Sequence, residues 1–483
     1  TVMARDSVRI MLLVAALNDL DVQDSDIQNA YLTAPNSEKI FTALGPEWGL
    51  LSKKRAIVVR ALYGLKSASA SFRNHLSDCM RTMGYHLCLA DRDLWYKSIV
   101  RPDDGHKCYV YMLLYVDDCL SIHYDAMSAL DELDCYFQMK PGSIGDPQYY
   151  LGAKLRQCTL PNGVMAWGMS SSKYVQEAIR NVEDYLRRNQ QPGLPKRTTP
   201  PFPSGYAAEL NDTWQLTPLE ANYYQSQVGI LQWIVELGRV DIITEVSVLA
   251  SYLAAPQRGH MDAVYHVYAY LRRKHNARLV LDPTYPTEDP LVHKSQDWGK
   301  FYGEVREAIP PNMPEPRGKE VDIRLFVDSS HADNKLHRRS RTGYLIYLNM
   351  SLVAWLSKKQ ATIETSVFGA EFVVMKIGIE ALRGMRYKLR MMGAPISGPS
   401  LVYGDNMSMI HNAQRPESTL KKKSNSICYH AVRESVAMGE CITAHVKSEN
   451  NVADIATKII PGGRLRDHLV GMLLYDIHDG EKD

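Results

Sequence analysis

The stretch that decides the fold is Cys108 to His123, C-Y-V-Y-M-L-L-Y-V-D-D-C-L-S-I-H, an apolar run interrupted in its middle by Asp117 and Asp118. An apolar strand, two adjacent acids and a second apolar strand predict a hairpin whose tight turn exposes carboxylates from an otherwise buried sheet. Two like charges so placed repel, and a fold tolerates them when a cation lies between them. The alternative is an ordinary Asp-rich turn.

A third acid elsewhere in the sequence favours a bound cation over an ordinary Asp-rich turn. Asp26 ends another strand-like pattern and begins D-I-Q-N-A-Y-L at 26–32. A metal site for phosphoryl transfer needs acids that converge from separate strands. Two divalent ions held there could activate a 3′-hydroxyl and stabilise a leaving pyrophosphate.

The composition sets wide limits. With 483 residues, 45% hydrophobic and 23% charged, the chain has the profile of a soluble globular protein of two to four domains, which excludes a predominantly disordered chain. The apolar run Ile10 to Leu17 is far shorter than the roughly 18–20 residues of a membrane span and predicts a core helix. Eight scattered cysteines without a C-x2-C pair indicate neither a disulfide framework nor a Cys-rich zinc site, and favour a reducing compartment.

Two Pro-rich breaks, Gln190 to Pro203 and about Pro283 to Lys319, divide the sequence. Between them, Thr217 to Glu220 (T-P-L-E) predicts a capped helix start. The last block alternates strands with one long helix, which predicts a mixed sheet covered by helices. Its predicted elements are the strands Ile323–Val327, Tyr344–Leu348, Leu352–Leu356 and Ser400–Tyr403, and the helix Ser366–Met392.

Four acids of this last block share a pattern. Asp328 and Asp405 each end a predicted strand, Glu371 lies on the long helix, and Asp454 opens D-I-A-T-K at 454–458. Taken singly, each acid reads as a surface or capping residue. Together they predict a four-carboxylate cluster suited to two divalent ions that cut a phosphodiester with water as the nucleophile.

Ordered motifs in the first half resemble the reverse transcriptase of copia-type LTR retrotransposons. They are D-x-x-x-A-Y-L from Asp26, A-L-Y-G-L-K at 61–66, Y-V-D-D at 115–118 and Y-L-G at 150–152. By this resemblance Asp26, Asp117 and Asp118 are the catalytic metal ligands of a palm domain.

The last block resembles the ribonuclease H domain that follows the polymerase in these elements. The supporting motifs are W-L-S-K-K-Q at 355–360, Y-G-D-N at 403–406 and A-D-I-A-T-K at 453–458. The resemblance implies that the catalytic metal ligands are Asp328, Glu371, Asp405 and Asp454.

The resemblance also implies substrate contacts. Tyr31 falls where related polymerases place a ring beneath the sugar of the incoming nucleotide, where it would exclude a ribose 2′-hydroxyl and select dNTPs; the alternative is a residue packed in the palm core. Arg60 and Lys66 are candidates for template or triphosphate contacts, or surface positions without a role. Ser67 stands where many relatives have Gln and offers a shorter hydroxyl contact.

Basic clusters give the proposed nuclease a possible substrate surface. The net charge is only +2, but Arg338 to Arg341 follow the first nuclease acid and Lys421 to Lys423 lie between the third and the fourth. Along one groove they could bind the phosphate backbone of a hybrid. His430 keeps one end of a family motif that is otherwise altered, and we assign no mechanism to it.

We therefore predict an α+β chain: a right-hand polymerase palm with truncated fingers, a helical thumb or connection, and an α/β ribonuclease H-like domain with a mixed sheet. The predicted segments are 1–189 (palm and partial fingers), 190–216 (linker), 217–282 (helical thumb or connection), 283–320 (Pro-rich linker) and 321–483 (ribonuclease H-like). Because the family's basic fingers segment would precede residue 1, we expect a fragment of a Pol polyprotein.

The expected activities are RNA-directed DNA synthesis and ribonuclease H cleavage, each with two Mg²⁺ or Mn²⁺ ions per site. The expected partners are an RNA template, a DNA primer, an RNA–DNA hybrid, dNTPs and other Pol or Gag products, with no membrane. The expected location is a cytoplasmic virus-like particle or the nucleus. Two alternatives stay open: a non-catalytic nucleic-acid-binding remnant, and a remnant with nuclease activity alone.

Overall fold

The computed structural model describes residues 3–196, 198–203, 205–287, 296–420 and 423–476. These residues form two compact units. Unit 1 takes the described parts of Thr1–Pro147, Met313–Lys319 and Met391–Ala394; unit 2 takes those of Gln148–Asn312, Glu320–Arg390 and Pro395–Asp483. The five-segment division stays a prediction, and its residues 1–2, 197, 204, 288–295, 421–422 and 477–483 lie outside the described residues.

Unit 1 is built on a five-stranded antiparallel sheet in the order β1-β7-β6-β5-β4, with a separate two-stranded β2-β3 ribbon. Its strands are β1 Asp21–Asp26, β2 Phe41–Ala43, β3 Arg55–Ile57, β4 His86–Leu87, β5 Leu94–Val100, β6 Lys107–Tyr115 and β7 Asp118–His123. Its helices are α1 Arg5–Leu17, α2 Ala30–Thr33, α3 Ala68–Thr82 and α4 Ala126–Asp134.

The apolar run around the two acids forms the middle of this sheet, as predicted. β6 is buried from Cys108 to Leu114, because strands pair on both of its edges and helices cover a face. Phe72 and Met80 of α3 and Leu130 of α4 lie in one buried cluster with residues of β6. The predicted hairpin and the predicted helix at Ile10 to Leu17 are both confirmed.

The first part of unit 2 combines a four-stranded antiparallel sheet, β11-β10-β9-β8, with four helices. Its elements are β8 Tyr149–Tyr150, β9 Ala153–Thr159, β10 Met165–Ser170, α5 Ser172–Arg188, α6 Pro218–Glu236, α7 Ile243–Leu249, α8 Arg258–Arg273 and β11 Arg278–Leu281.

The capping box that opens α6 is confirmed: Thr217 Oγ1 accepts from Glu220 N–H, and Glu220 Oε2 accepts from Thr217 N–H at 2.9 Å. The segment 217–282, predicted as a helical thumb or connection, is not helical at its end, where β11 pairs antiparallel with β10. The pairing is long-range, since β10 ends at Ser170, and the local sequence pattern does not contain it.

The second part of unit 2 holds a mixed five-stranded sheet, which confirms the mixed-sheet prediction. Its elements are α9 Gly299–Tyr302, β12 Ile323–Ser330, β13 Arg341–Leu348, β14 Ser351–Lys359, α10 Val367–Met391, β15 Ser400–Gly404, α11 Met407–Gln414, α12 Ser426–Ala437, β16 Cys441–His445 and α13 Arg464–Leu473. The order is β14-β13-β12-β15-β16; the β12–β13 and β13–β14 pairs are antiparallel, and β15 runs parallel to both β12 and β16.

Helix α10 lies close against the central strand of this sheet. A Cβ added to Gly378 would lie 2.9 Å from Val327 and 3.0 Å from Leu325, so glycine permits the helix to approach β12 at this point. Phe372 and Met375 of the same helix are fully buried. This packing holds the first turns of α10 beside the end of β12. No helix in the described part of the chain combines the length and apolar composition needed to cross a bilayer.

Buried ion pairs tie distant segments of unit 2 together. Arg239 forms a two-point ion pair with Asp241 (2.7 and 2.8 Å), and both side chains are almost completely buried. Asp241 also accepts from the Tyr270 hydroxyl, and Arg466 reaches the Asp241 carbonyl and Glu245. Arg466 lies on α13, so these contacts hold α13 against the helical part of unit 2. Removing one partner would leave a buried charge uncompensated.

Glu307 provides a test of a similar interaction. Arg386 and Arg390 each bind both Glu307 oxygens, at 2.6–2.7 Å, and these contacts lower the Glu307 pKa to about 2 against burial. Because a lowered folded-state pKa adds stability above the unfolded pKa of about 4.5, this contribution is present at pH 7 and is lost as the pH falls toward 2.

We expect Glu307→Gln to lower the unfolding free energy by about 3 kcal/mol at pH 7, since it leaves the buried guanidinium of Arg386 and the partly buried one of Arg390 without their carboxylate. Urea unfolding at a series of pH values measures the effect, which should shrink steadily below pH 4.5. The exposed Glu177→Gln serves as the matched control and should change little at any pH. A pH-independent difference for Glu307→Gln would contradict the role given to the ion pairs.

Candidate active sites

The first carboxylate cluster (Asp26, Asp117 and Asp118) lies at one end of the unit 1 sheet. Asp26 is the last residue of β1 and pairs directly with Asp118, the first residue of β7. Asp117 occupies the two-residue turn between β6 and β7, and its carbonyl accepts from Ile27 N–H at 2.9 Å. The structure therefore brings together the three acids that the sequence analysis selected, on two neighbouring strands and the turn between β6 and β7.

The electrostatics of this cluster reflect carboxylates held against one another. Burial and contact with the Asp26 carboxylate raise the pKa of Asp118 to about 7. Burial, followed by the charge of Asp26, also raises the pKa of Asp24 to about 6. Lys140 Nζ lies 3.6 Å from Asp26 Oδ2, and this lysine is exposed. The concentrated negative charge is a good environment for a cation.

The turn that carries Asp117 has an unusual backbone. Val116 has a φ of 60°, in the left-handed region that β-branched residues rarely adopt, at a cost of order 1–3 kcal/mol. Strand pairing on both sides of the turn enforces this conformation. The sequence gives no warning of it, because a glycine or asparagine is the usual residue at such a position.

The four substrate-binding candidates lie in different surroundings. Tyr31, on α2, is half-buried and its ring centroid lies 4.7 Å from that of Tyr63. Lys66 is exposed. Arg60 donates to the Thr33 carbonyl at 2.8 Å, so part of its guanidinium is already engaged. Ser67 precedes α3, and its buried hydroxyl oxygen has no hydrogen-bond partner within the described residues.

The Tyr31 ring also lies 6.0 Å from Phe72, edge to face, and borders the buried cluster of unit 1. These contacts agree with the alternative of a packed residue, and they would equally hold the ring rigidly for a contact with substrate. The proposed role of Tyr31 therefore stays a prediction.

The second carboxylate cluster (Asp328, Glu371, Asp405 and Asp454) lies at the carboxyl end of β12. Asp328 is on β12, Glu371 on the second turn of α10, and Asp405 directly follows β15. One carboxylate oxygen of each of these three lies within 4.8 Å of the others. Asp454 sits on a 3-10 helix at Val452–Ala456 and joins the cluster through Lys458, whose Nζ lies 2.7 Å from Asp454 Oδ1 and 3.4 Å from Asp328 Oδ1.

Burial raises the pKa values of Asp328, Glu371 and Asp454 and so opposes their ionisation. Desolvation, followed by the charges of Asp328 and Asp405, raises the pKa of Glu371 to about 9. Burial and the charge of Asp328 raise the pKa of Asp454 to about 7, and burial raises that of Asp328. Glu371 Oε2 is buried without a hydrogen-bond partner in the described part of the chain. Buried acids in this state favour a bound cation.

The donor set fits a divalent ion. Oxygen ligands from carboxylates are those that Mg²⁺ and Mn²⁺ prefer. The second cluster offers three such oxygens at mutual distances short enough for one ion, plus a fourth acid beside them. The first cluster offers acids in direct contact across β1 and β7.

Three further residues contact the second cluster or the turn beside it, and the sequence alone did not assign them a role: Lys458, Thr457 and Gly343. Lys458 partly neutralises Asp328 and Asp454, and the Thr457 hydroxyl donates to Asp328. The four-residue spacing of Asp454 and Lys458 was the available signal, since it is typical of a helical ion pair. Gly343, opposite Asp328 in β13, gave no signal, because its role depends on contact with residues more than 100 positions away.

The predicted basic groove is only partly supported. Arg338 is exposed, but Arg341 is 7% exposed and donates to Ser247 Oγ at 2.7 Å. The expectation that Arg341 belongs to a basic surface is therefore wrong, because β13 begins at this residue and its side chain is buried. Lys421 and Lys422 lie outside the described residues.

Residues 1–184 match the family model described as reverse transcriptase (RNA-dependent DNA polymerase). Similar curated proteins include the retrovirus-related Pol polyprotein from transposon RE1 of Arabidopsis thaliana, 25% identical over 94% of this chain and 27% of the relative. Another is the retrovirus-related Pol polyprotein from transposon TNT 1-94 of Nicotiana tabacum, 25% identical over 96% of this chain and 32% of the relative. The chain thus spans about a quarter to a third of the length of these relatives.

Two solved structures resemble the chain weakly. The N-terminal ribonuclease H domain of a Mycobacterium tuberculosis protein, fused to maltose-binding protein, is 12% identical with a TM-score of 0.22, over 32% of this chain and 98% of the other. The foamy viral protease–reverse transcriptase in complex with an RNA/DNA hybrid is 11% identical with a TM-score of 0.29, over 93% of this chain and 68% of the other.

Proposed function

Because the chain carries a reverse transcriptase domain and is similar along most of its length to copia-type Pol polyproteins, we propose that it is a two-activity enzyme. The first carboxylate cluster would be the site of RNA-directed DNA synthesis. The second would be the site of ribonuclease H cleavage of the RNA in the resulting hybrid. The observation that carries the proposal is the convergence of acids, distant in sequence, into two separate groups.

The same proposal assigns each part of the fold to a subdomain of the enzyme. The unit 1 sheet with α3 and α4 corresponds to a polymerase palm, and the helical segment of unit 2 to a thumb or connection. The β14-β13-β12-β15-β16 sheet, with three antiparallel strands followed by two parallel ones, would be the sheet of the ribonuclease H domain. A cytoplasmic virus-like particle or the nucleus is the proposed location, with RNA, primer DNA, dNTPs and other Pol or Gag products as partners.

Each cluster would hold two divalent ions, Mg²⁺ or Mn²⁺. When bound, such ions stabilise the negative charge that develops on the transferred phosphoryl group and orient its oxygens. Asp26, Asp117 and Asp118 would hold them in unit 1; Asp328, Glu371, Asp405 and Asp454 would hold them in unit 2. The protein would contribute to catalysis by holding these carboxylates close together before the substrate binds.

Other side chains of unit 1 would position the nucleotide. Tyr31, braced by Tyr63 and Phe72, would present a rigid ring under the sugar and reject a 2′-hydroxyl. Arg60 and Lys66 would contact the triphosphate or the template. Ser67 has its hydroxyl oxygen buried and unpartnered among the described residues, so this side chain would have to rotate to bond a nucleotide group.

One experiment tests both activities. The purified chain is given a labelled DNA primer on an RNA template with dNTPs and Mg²⁺, and the primer and the RNA are resolved separately. We expect extended primers and shortened RNA from the same preparation. A preparation that does neither, with Mg²⁺ or Mn²⁺, would contradict the proposal.

A nuclease without polymerase activity is the second candidate. One observation favours it: among the described residues, the acids that meet as a compact three-oxygen group are Asp328, Glu371 and Asp405, whereas the acids of the first cluster do not. RNA cleavage without primer extension in the same experiment would select this candidate.

Gly343 should control the position of Asp454. A Cβ at this glycine would lie 2.5 Å from Thr457 Cγ2 and 2.8 Å from Ala456 Cβ, so Gly343→Ala must displace the turn that carries Asp454. We expect an overpacking cost of about 1–3 kcal/mol and at least a tenfold loss of RNA cleavage, with primer extension unchanged. Cleavage rates and thermal unfolding measure the two effects.

Gly384→Ala is the matched control, because a Cβ there, on α10, would meet nothing within 4 Å. It should leave both activities intact and leave stability unchanged or slightly raised. Full cleavage activity in Gly343→Ala would show that the Asp454 turn is not held as the close contact implies.

A further inference from the structure

A cavity of approximately 340 Å³ opens beside the second carboxylate cluster. Its walls come from the end of β12, the start of β13, the end of β14, the turn after Asp454 and the helical part of unit 2. Lys458 and Thr457 line it and also contact acids of the cluster. The cavity therefore adjoins the acids themselves.

Arg341 is the unusual residue in this wall. Arg341 is only 7% exposed, and its Nε has no hydrogen-bond partner within the described residues. Nη1 donates to the neutral Ser247 and, at 3.5 Å, to Ser357. None of the ion pairs in the described part of the chain involves this guanidinium.

A buried guanidinium without an ion pair is costly, and the charges of Asp333 and Glu245 offset only part of the desolvation of Arg341. Three other buried arginines of unit 2 have their guanidinium groups better satisfied: Arg239 pairs with Asp241, Arg466 pairs with Glu245, and Arg433 donates to several backbone carbonyls. Burial lowers the pKa of Arg341, which is consistent with an incompletely compensated charge. The missing partner is an anion.

The remaining charges of the cavity point to an anion as well. Lys335, Lys359 and Arg341 line it against two acids, Glu209 and Asp333, which leaves one positive charge in excess; Lys458 also lines it but is paired with Asp328 and Asp454. Glu209 accepts from the Lys335 backbone N–H at 3.0 Å. The excess positive charge lies next to the second carboxylate cluster, the proposed site of phosphodiester cleavage. Phosphate is therefore the anion that this cavity favours.

We propose that this cavity binds a backbone phosphate of the polynucleotide adjacent to the phosphodiester that is cleaved. Arg341 would be its buried ligand, and Lys335 and Lys359 would lie at the rim of the cavity. The inference rests on the proposed ribonuclease H function and adds a strand-positioning site to it. Arg341 would supply a charge-assisted hydrogen bond from its guanidinium. The helical part of unit 2 would then form one wall of the nuclease's substrate site.

Binding of an uncleaved hybrid tests the site. The full chain with Asp405→Asn, to stop cleavage, is titrated into a fluorescent RNA–DNA hybrid over a series of NaCl concentrations, and anisotropy is measured. Adding Arg341→Met should weaken binding about tenfold at low salt and flatten the plot of log affinity against log salt by about 0.9, the loss of one phosphate contact.

Lys335→Met and Lys359→Met provide variants that should not threaten folding, because Lys335 is exposed and Lys359 partly so. Each should weaken binding and flatten the salt plot. Lys300→Met, an exposed lysine of α9 away from the cavity, should do neither. Unchanged affinity and slope in all three cavity variants would overturn the inference and indicate that water satisfies Arg341.

Inorganic phosphate distinguishes a strand site from a site for the free anion. We expect phosphate to displace the hybrid no better than sulfate at equal ionic strength. Displacement by phosphate alone, lost in Arg341→Met, would overturn the strand proposal in favour of a free-phosphate site. Cleavage of the hybrid by the chain with intact Asp405 tests the proposed function separately. If that chain cleaves RNA but the Arg341, Lys335 and Lys359 variants bind the hybrid normally, the phosphate site is wrong and the ribonuclease H function stands.

Discussion

Replacing Asp117 and Asp118 together by Asn should reduce primer extension on RNA by at least about a thousandfold while RNA cleavage stays within twofold of the unmodified chain. The first carboxylate cluster loses two of its three anionic groups in this variant and with them its attraction for divalent ions. Asp26 and Asp118 are paired across β1 and β7, so the remaining acid is left without its neighbour.

The structural cost of this change should be small. The pKa of Asp118 is already raised to about 7 by burial and by Asp26, so neutral amides remove repulsion from the folded state. Thermal unfolding should therefore be unchanged or slightly higher. Asp103→Asn, at an exposed loop position, is the matched control and should extend primers normally. Primer extension that survives in the double variant would show that the catalytic acids are elsewhere.

Replacing Asp405 by Asn should have the reciprocal effect: RNA cleavage falls by at least about a thousandfold and primer extension is preserved. Asp405 follows β15 and is the most exposed of the three acids whose oxygens lie within 4.8 Å of one another. It therefore has the best access to substrate, and an isosteric amide in its place keeps the shape while it removes the charge.

Cleavage of the RNA strand in a preformed hybrid, without dNTPs, measures this effect apart from synthesis. Asp212→Asn, at an exposed position of unit 2, serves as the matched control. If Asp405→Asn cut the hybrid at the normal rate, the second cluster would not be the nuclease site. Parallel loss of both activities would mean that the two clusters do not act separately.

Much of the first cluster was predictable from local sequence. An apolar run on each side of Asp117 and Asp118 predicts a hairpin with the acids near its turn; the turn itself is Val116–Asp117, and Asp118 already belongs to β7. The direct pairing of Asp26 with Asp118 was not predictable, because antiparallel register depends on which strand β1 joins. The left-handed conformation of Val116 was equally hidden, since the residue type argues against it.

The second cluster shows a different limit. Ordered motifs selected its four acids, but the residues that adjust their charge come from long-range packing. Lys458 pairs with Asp454 through helical spacing and with Asp328 through tertiary contact alone. Arg341 was grouped with surface arginines by its neighbours in sequence, yet the start of β13 buries it.

The central claim is that acids distant in sequence form two separate sites for divalent ions. Hydroxyl radicals produced by Fe²⁺ bound in place of Mg²⁺, with ascorbate and peroxide, cut the backbone next to the ion and so locate it directly. We predict cuts close to Asp26, Asp117, Asp328, Glu371 and Asp405, suppressed by excess Mg²⁺, with the unit 2 cuts alone lost in Asp405→Asn. Cuts confined to other regions, or cuts that Mg²⁺ does not suppress, would contradict the account.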